Sequence, residues 1–329
     1  MKKTHTPAAA LSRRGFIQAM SALALAPALR TARAAEIVKD GIPLARLNLP
    51  GASSVKVLAL TDLHFFGKTA LHDRRTLHDI KAMIAAAQPD LILLCGDVWF
   101  ENVLHLGEKH CKWACEQIGA LGVPWAYVRG NHDKADDFAP CAAALAAAPN
   151  SLYAGGLEAD YVVEVGPAGA PLVNLIILND ANPDLGYSTA TQMHFEALAK
   201  IIQQRQPKPA LGLVFFHVPP PQLGQLADTG QAHGVNGEKS FPENYDLASS
   251  QALLHSGLVA GVFCGHDHKN NFYGAVDGVG VEYIRATGYG GYGNATVPKG
   301  GTLITADAGG YTTATIFPSG KMTPQQEKR

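Results

Sequence analysis

Leu91-Ile92-Leu93-Leu94-Cys95-Gly96-Asp97 is a continuous apolar run closed by a glycine and a carboxylate. Five apolar residues without alternation predict a strand buried on both faces, as in a parallel sheet covered by helices. The pattern recurs along the chain. Val55 to Leu60 runs into Thr61-Asp62-Leu63-His64, and Trp125 to Val128 leads to Gly130-Asn131-His132-Asp133. Leu211 to Phe216 ends in His217, and Leu258 to Cys264 ends in Gly265-His266-Asp267-His268. Leu172 to Leu178 is another run of this kind. Helical length and composition mark Arg75 to Ala87, Glu108 to Leu121, Asp137 to Ala148 and Thr191 to Gln206 between them, so the fold class is α/β. Val281 to Ala286, Thr302 to Thr305 and Thr312 to Phe317 are short and β-rich, and they predict a second sheet packed on the first. Pro219 to Asn244 has no periodicity and reads as a candidate active-site loop.

Five strand ends therefore carry polar residues, and in open α/β sheets the ligand crevice lies outside the carboxyl ends of the strands. Asp62 and His64, like His266 and His268, are two apart and project to one side of an extended segment. Glycines at 96, 130 and 265 let the backbone turn and bring the next side chain against an ion. Carboxylate and amide oxygens mixed with imidazole nitrogens suit iron, zinc or manganese better than calcium or copper(I). Seven candidate ligands, Asp62, His64, Asp97, Asn131, His217, His266 and His268, exceed what one ion uses. Two divalent or trivalent ions with a bridging carboxylate are expected.

The strings Asp-x-His, Gly-Asp, Gly-Asn-His-Asp, a strand-end His and Gly-His-x-His, in this order from 62 to 268, resemble the signature of the calcineurin-like metallophosphoesterases. The resemblance implies a four-layer αββα sandwich of two mixed sheets. It puts Asp62, His64 and His268 on one metal and Asn131, His217 and His266 on the other, with Asp97 bridging. It makes His132 the non-ligand histidine that contacts the phosphate and assists the leaving group, oriented by Asp133. The stretches Phe215 to Pro219, Phe263 to Phe272 and Gly288 to Gly293 are similar to a yeast and plant branch sometimes grouped with purple acid phosphatases. Phe100 stands where those purple enzymes carry a metal-binding Tyr, which implies a colourless protein. The implied function is hydrolysis of phosphate monoesters by metal-activated water. The alternatives are a phosphodiesterase, acting on cyclic nucleotides or glycerophosphodiesters, and a non-catalytic metal-binding protein.

Composition narrows the partners. The chain has 329 residues, 47% apolar and 17% charged, an ordinary composition for a globular enzyme. Six basic and no acidic residues fall in the first 34; the remainder carries 21 positive and 28 negative charges. An acidic body has no affinity for nucleic acid or an anionic membrane. Ser12-Arg13-Arg14-Gly15-Phe16-Ile17, the apolar run Ala19 to Ala28 and Ala32-Arg33-Ala34 resemble a twin-arginine export signal. The expected organisation is a signal over 1–34, a linker over 35–54, the metallophosphoesterase domain over 55–318 and a polar tail over 319–329. That predicts a periplasmic or secreted monomer that meets the export machinery and a small-molecule or protein phosphoester, with no stable membrane insertion. Cys95 and Cys264 read as buried hydrophobes, and no disulfide framework is indicated among the five cysteines. The Gly288 to Gly293 run reads as a tight turn cluster in the second sheet, and Asn182, Glu238 and Tyr292 as substrate contacts. Trp99 and Phe100 line the pocket or cap the core.

Overall fold

The apolar runs become strands of two sheets in the computed structural model, which describes residues 43–67, 70–180, 188–240, 247–295 and 297–328. The export signal expected over residues 1–34 lies outside the described residues, as does Asn182. The described residues belong to one compact unit, Ala34–Arg329, and none of their helices is long and apolar enough to cross a membrane.

One sheet has the order β14-β13-β12-β2-β3-β4: Met322–Pro324, Gly310–Ile316, Gly301–Asp307, Ser54–Leu60, Leu91–Cys95 and Trp125–Val128. The other is β1-β5-β6-β7-β9-β11-β10-β8: Leu44–Asn48, Tyr161–Gly166, Val173–Ile177, Leu211–Phe215, Val259–Cys264, Val279–Tyr283, Asn271–Val276 and His233–Val235. Both are mixed. The parallel blocks β2-β3-β4 and β6-β7-β9-β11 hold every strand whose end carries a candidate ligand.

Among the described residues, six α-helices cover the outer faces: α1 (Leu71–Ala87), α2 (Gly107–Gly119), α3 (Ala139–Ala147), α4 (Thr189–Arg205), α5 (Pro221–Asp228) and α6 (Leu247–Leu254). Ile80, Met83, Ile118 and Leu145 of α1 to α3 join the larger apolar cluster, which also fills the space between the sheets. Phe195, Leu198, Ile202, Leu223 and Leu253 of α4 to α6 join Val214, Phe216 and Val262 on the second sheet. This is the four-layer αββα arrangement that the resemblance implies.

Four expectations about organisation are corrected. The β-rich C-terminal segments do not form a sheet of their own: β12 and β13 extend the β2 sheet antiparallel, while β11 joins β9 in the other. The strands read as a first sheet are thus divided between the two. The 35–54 segment read as a linker contributes β1, which pairs with β5, and the tail contributes β14, on the edge beside β13. Such edge strands escape a period-two search because they are short and do not alternate: β1 is largely buried and β14 exposed throughout. Within the stretch from Pro219 to Asn244 read as a loop, α5 and β8 form regular structure, and its residues 241–244 lie outside the described residues.

The sheets also meet through polar groups. Glu282 of β11 is fully buried, and its Oε2 accepts hydrogen bonds from Thr313 Oγ1 (2.8 Å) and Gln326 Nε2 (2.9 Å), while Oε1 has no partner. Burial outweighs these two bonds and lifts its pKa from 4.5 to about 7. A carboxyl raised in this way holds its proton more tightly in the folded chain. Its contribution to stability is therefore complete below about 4.5 and is lost as pH rises toward 7. Glu282→Gln should abolish this loss, worth on the order of 3 kcal/mol at most, and flatten the fall in stability between pH 5 and pH 8. Urea unfolding at the two pH values checks it; a pH dependence identical to wild type would contradict it.

Candidate metal centre

The predicted strand ends come together. Backbone bonds from Asp62 N to Gly96 O and His64 N to Asp97 O tie the loops after β2 and β3, Gly265 N to His217 O ties those after β7 and β9, and the His217 side chain on Cys95 O joins the two pairs. Asp62, His64, Asp97 and His266 adopt left-handed φ angles of 56°, 46°, 52° and 76°. Such backbone costs roughly 1–3 kcal/mol per residue and persists only where the surroundings enforce it. Gly96 and Gly130 are required by close approach: a Cβ at the first would strike the His217 ring, and at the second the Asp97 backbone.

Two triads result, Asp62–His64–His268 and Asp97–His217–His266, with the ligand atoms of each within 4.8 Å of one another. Asp97 Oδ2 stands 3.1 Å from His217 Nε2 and 3.6 Å from His64 Nε2, so it faces both. Asp62 Oδ1 is 3.2 Å from His268 Nε2, and the Nε2 atoms of His64 and His268 are 3.1 Å apart. Yet Asp62 Oδ1 and His217 Nε2 make no hydrogen bond, although both are buried. Close approach without hydrogen-bond alignment is what donor atoms aimed at a common third point produce. Orphaned buried polar atoms cost free energy unless something occupies that point, and this donor set fits a pair of transition-metal ions. Asn131 Oδ1 lies 3.1 Å from His266 Nδ1, beside the second triad.

Tautomers agree. His217 Nδ1 donates to Cys95 O (2.8 Å) and His268 Nδ1 to Tyr292 O (3.2 Å), which in the neutral ring turns the lone pair of each Nε2 toward the centre. Burial would raise the Asp62 and Asp97 pKa values, but His268 and His217 outweigh it and hold both carboxyls well below the usual range. Burial lowers His64 and His266 to about 4. For His217 burial is overcome by Asp97 and Asp62, and it is held up at about 10. The carboxylates thus draw positive charge into a buried site.

His132 sits at the rim, its side chain about a third exposed, and its backbone N–H donates to Asp97 Oδ1 (2.8 Å). Its expected partner is corrected. Asp133 is fully buried and accepts from Trp99 N, Tyr127 Oη and Gly130 N, and burial together with Asp97 lifts it to about 7. It holds the turn. Glu101 takes the orienting place: Oε1 accepts from His132 Nδ1 (2.5 Å) and Oε2 pairs with Lys134 Nζ (3.0 Å). Partial burial would raise Glu101, but hydrogen bonds from Lys134 and His132 hold it low, so it is a carboxylate and His132 Nδ1 carries the proton. Adjacency in sequence favoured Asp133; the turn after β3 brings in Glu101 instead. Asp180 was also missed, although it too follows a strand: its carboxylate accepts from His217 N and Val218 N.

The remaining candidates divide. Tyr292 stacks on the His268 ring at 4.1 Å and donates to Glu238 Oε1 (2.7 Å), so these two brace a ligand. Trp99 is core and donates to Lys134 O, whereas Phe100 meets the His64 ring edge-on at 6.0 Å. The glycine run is no turn within a sheet: Gly288 and Gly290 pack on the backbone of Asp62 to His64, and a Cβ at Gly291 would strike the His268 ring. All five cysteines are free and buried.

With this geometry in hand, comparison with known proteins is direct. The family described as calcineurin-like phosphoesterase matches residues 55–270, well over half of the chain, and the chain belongs to that family. Two plant relatives from Arabidopsis thaliana are named probable inactive purple acid phosphatases 14 and 29. The first is 29% identical over 72% of this chain and 71% of its own length. The second is 26% identical over 77% and 76%. Among solved structures, a dimetal phosphatase from Danio rerio superposes with a TM-score of 0.53 at 14% identity, covering 80% of this chain and 95% of its own. A purple acid phosphatase from yellow lupin gives 0.50 at 13%, covering 85% and 55%. At such identities the structures share the fold.

Gly291→Ala should displace the His268 ring and weaken metal retention by about 10–100-fold while the chain stays folded. Metal titration followed by circular dichroism and metal analysis measures this. Unchanged affinity would show that the glycine run does not set the position of His268.

Proposed function

We propose that this member of the family is a dinuclear metal-dependent phosphoesterase that hydrolyses phosphate monoesters. The observation that carries the reading is the pair of facing triads, with Asp97 turned toward a histidine of each and the buried Asp62 Oδ1 and His217 Nε2 left without a hydrogen-bond partner. The plant relatives carry the word inactive in their names, but here every ligand position holds a ligating side chain and a tethered histidine stands beside them.

A bound ion pair supplies Lewis-acid activation of the ester and of the attacking water. The chain's own groups do the rest. Asp97, Asp62 and the histidines fix the geometry in a water-poor floor. Glu101 accepts the Nδ1 proton of His132 and so directs Nε2 outward, where protonated imidazole donates to the departing oxygen. Lys134 holds the second oxygen of Glu101 and keeps that carboxylate ionised. No side-chain nucleophile is needed.

His132→Ala should keep both metals and lose about 10²–10⁴-fold in kcat with alkyl phosphates, and much less with p-nitrophenyl phosphate, whose leaving group needs no proton. Glu101→Gln should lose less, about tenfold, in the same direction. Kinetics on metal-quantified protein checks both. Loss of metal in His132→Ala, or equal losses for all leaving groups, would contradict the assignment.

A further inference from the structure

Beside the ligand histidines the chain builds an aromatic surface that metal binding does not require. Phe100 meets the His64 ring edge-on, and its plane lies within 11° of that of His132 at 6.5 Å. Phe66 stacks on Phe100 at 4.1 Å and 17°, and His72 closes the series edge-on to Phe66 at 4.8 Å. Three rings thus run nearly parallel from the rim histidine outward. Phe66 is 37% exposed, so part of its ring is open to solvent beside the site. An exposed aromatic face beside a reactive histidine is costly to leave in water and is characteristic of ligand sites.

The surface is also held rigid. The Asp73 carboxylate accepts the backbone N–H groups of Phe66 and Gly67, the latter at 2.8 Å. Phe100 N donates to Phe65 O (3.1 Å), and the next residue's N–H to His132 O (3.0 Å). The backbones that carry both rings are fixed before any ligand arrives, so a guest pays little ordering entropy for them.

From this we propose that Phe66 and Phe100 form the leaving-group subsite, and that the substrates are phosphomonoesters whose leaving group carries a planar aromatic ring. The inference rests on the phosphoesterase reading above, in which His132 meets the departing oxygen. The leaving group therefore lies on the His132 side of the centre, where the Phe100 ring presents itself. Offset stacking on such rings adds to simple apolar burial. The ring is either joined directly to the ester oxygen, as in an aryl phosphate, or carried on a sugar, as in a nucleoside monophosphate.

Phosphonates test this without the unequal reactivity of esters. Inhibition constants of methylphosphonate, phenylphosphonate and an adenosine 5′-phosphonate are measured on the metal-loaded protein, its Phe66→Ala and Phe100→Ala variants and Phe66→Leu. At least one aromatic phosphonate should bind about tenfold more tightly than methylphosphonate. That preference, taken as the ratio of the two inhibition constants, should fall toward unity in both alanine variants, and Phe66→Leu should recover only part of it. Tighter phenylphosphonate identifies aryl esters; tighter adenosine phosphonate identifies nucleotides. A wild-type preference near unity, or one that survives both alanine variants, overturns the subsite while leaving the phosphoesterase reading intact. Failure of all three phosphonates and of inorganic phosphate to bind would instead overturn that reading, and the subsite with it.

Discussion

The structure depends on one buried carboxylate, Asp97, faced by histidine nitrogens from two directions. Its Oδ2 looks toward His217 and His64, while its Oδ1 takes the His132 backbone N–H. A buried charge without a partner is strongly unfavourable, so these surroundings are specified by the need to balance it. The left-handed backbone at Asp97, Asp62, His64 and His266 is a local cost accepted for that convergence. Four strained residues meeting at one point mark a functional site more clearly than any of them alone.

The two-sheet architecture follows from the same requirement. One sheet brings Asp62, Asp97 and Asn131 on the ends of parallel β2, β3 and β4; the other brings His217 and His266 on β7 and β9. Neither sheet holds both triads. The packing between the sheets sets the distance between the ligand groups. Supporting contacts then finish the orientation: Cys95 O and Tyr292 O fix tautomers, and Glu101 aims His132.

Much of this is legible in the sequence, because both signals are strong and local. Continuous apolar runs reveal strands buried on both faces, and a polar residue directly after each run marks where a crevice forms. All seven metal-ligand candidates lie at or beside the two triads. What the sequence hides is non-local. Glu101 and Asp133 are both acidic neighbours of ligand positions, and only the turn after β3 decides which reaches the imidazole. Asp180 ends a strand like the others but braces His217 through backbone N–H groups. The assignment of β11 to one sheet and of β12 and β13 to the other depends on long-range pairing that no period announces. Short edge strands such as β1 and β14 carry too few residues to show one.

The central claim is that Asp97 is shared by two ions, and diffraction at the absorption edge of the loaded metal tests it most directly. Two anomalous peaks should appear, ~3.5–4 Å apart, one against Asp62, His64 and His268, the other against Asn131, His217 and His266, with Asp97 between them. A single peak at full loading, or two peaks that Asp97 does not join, would contradict the account.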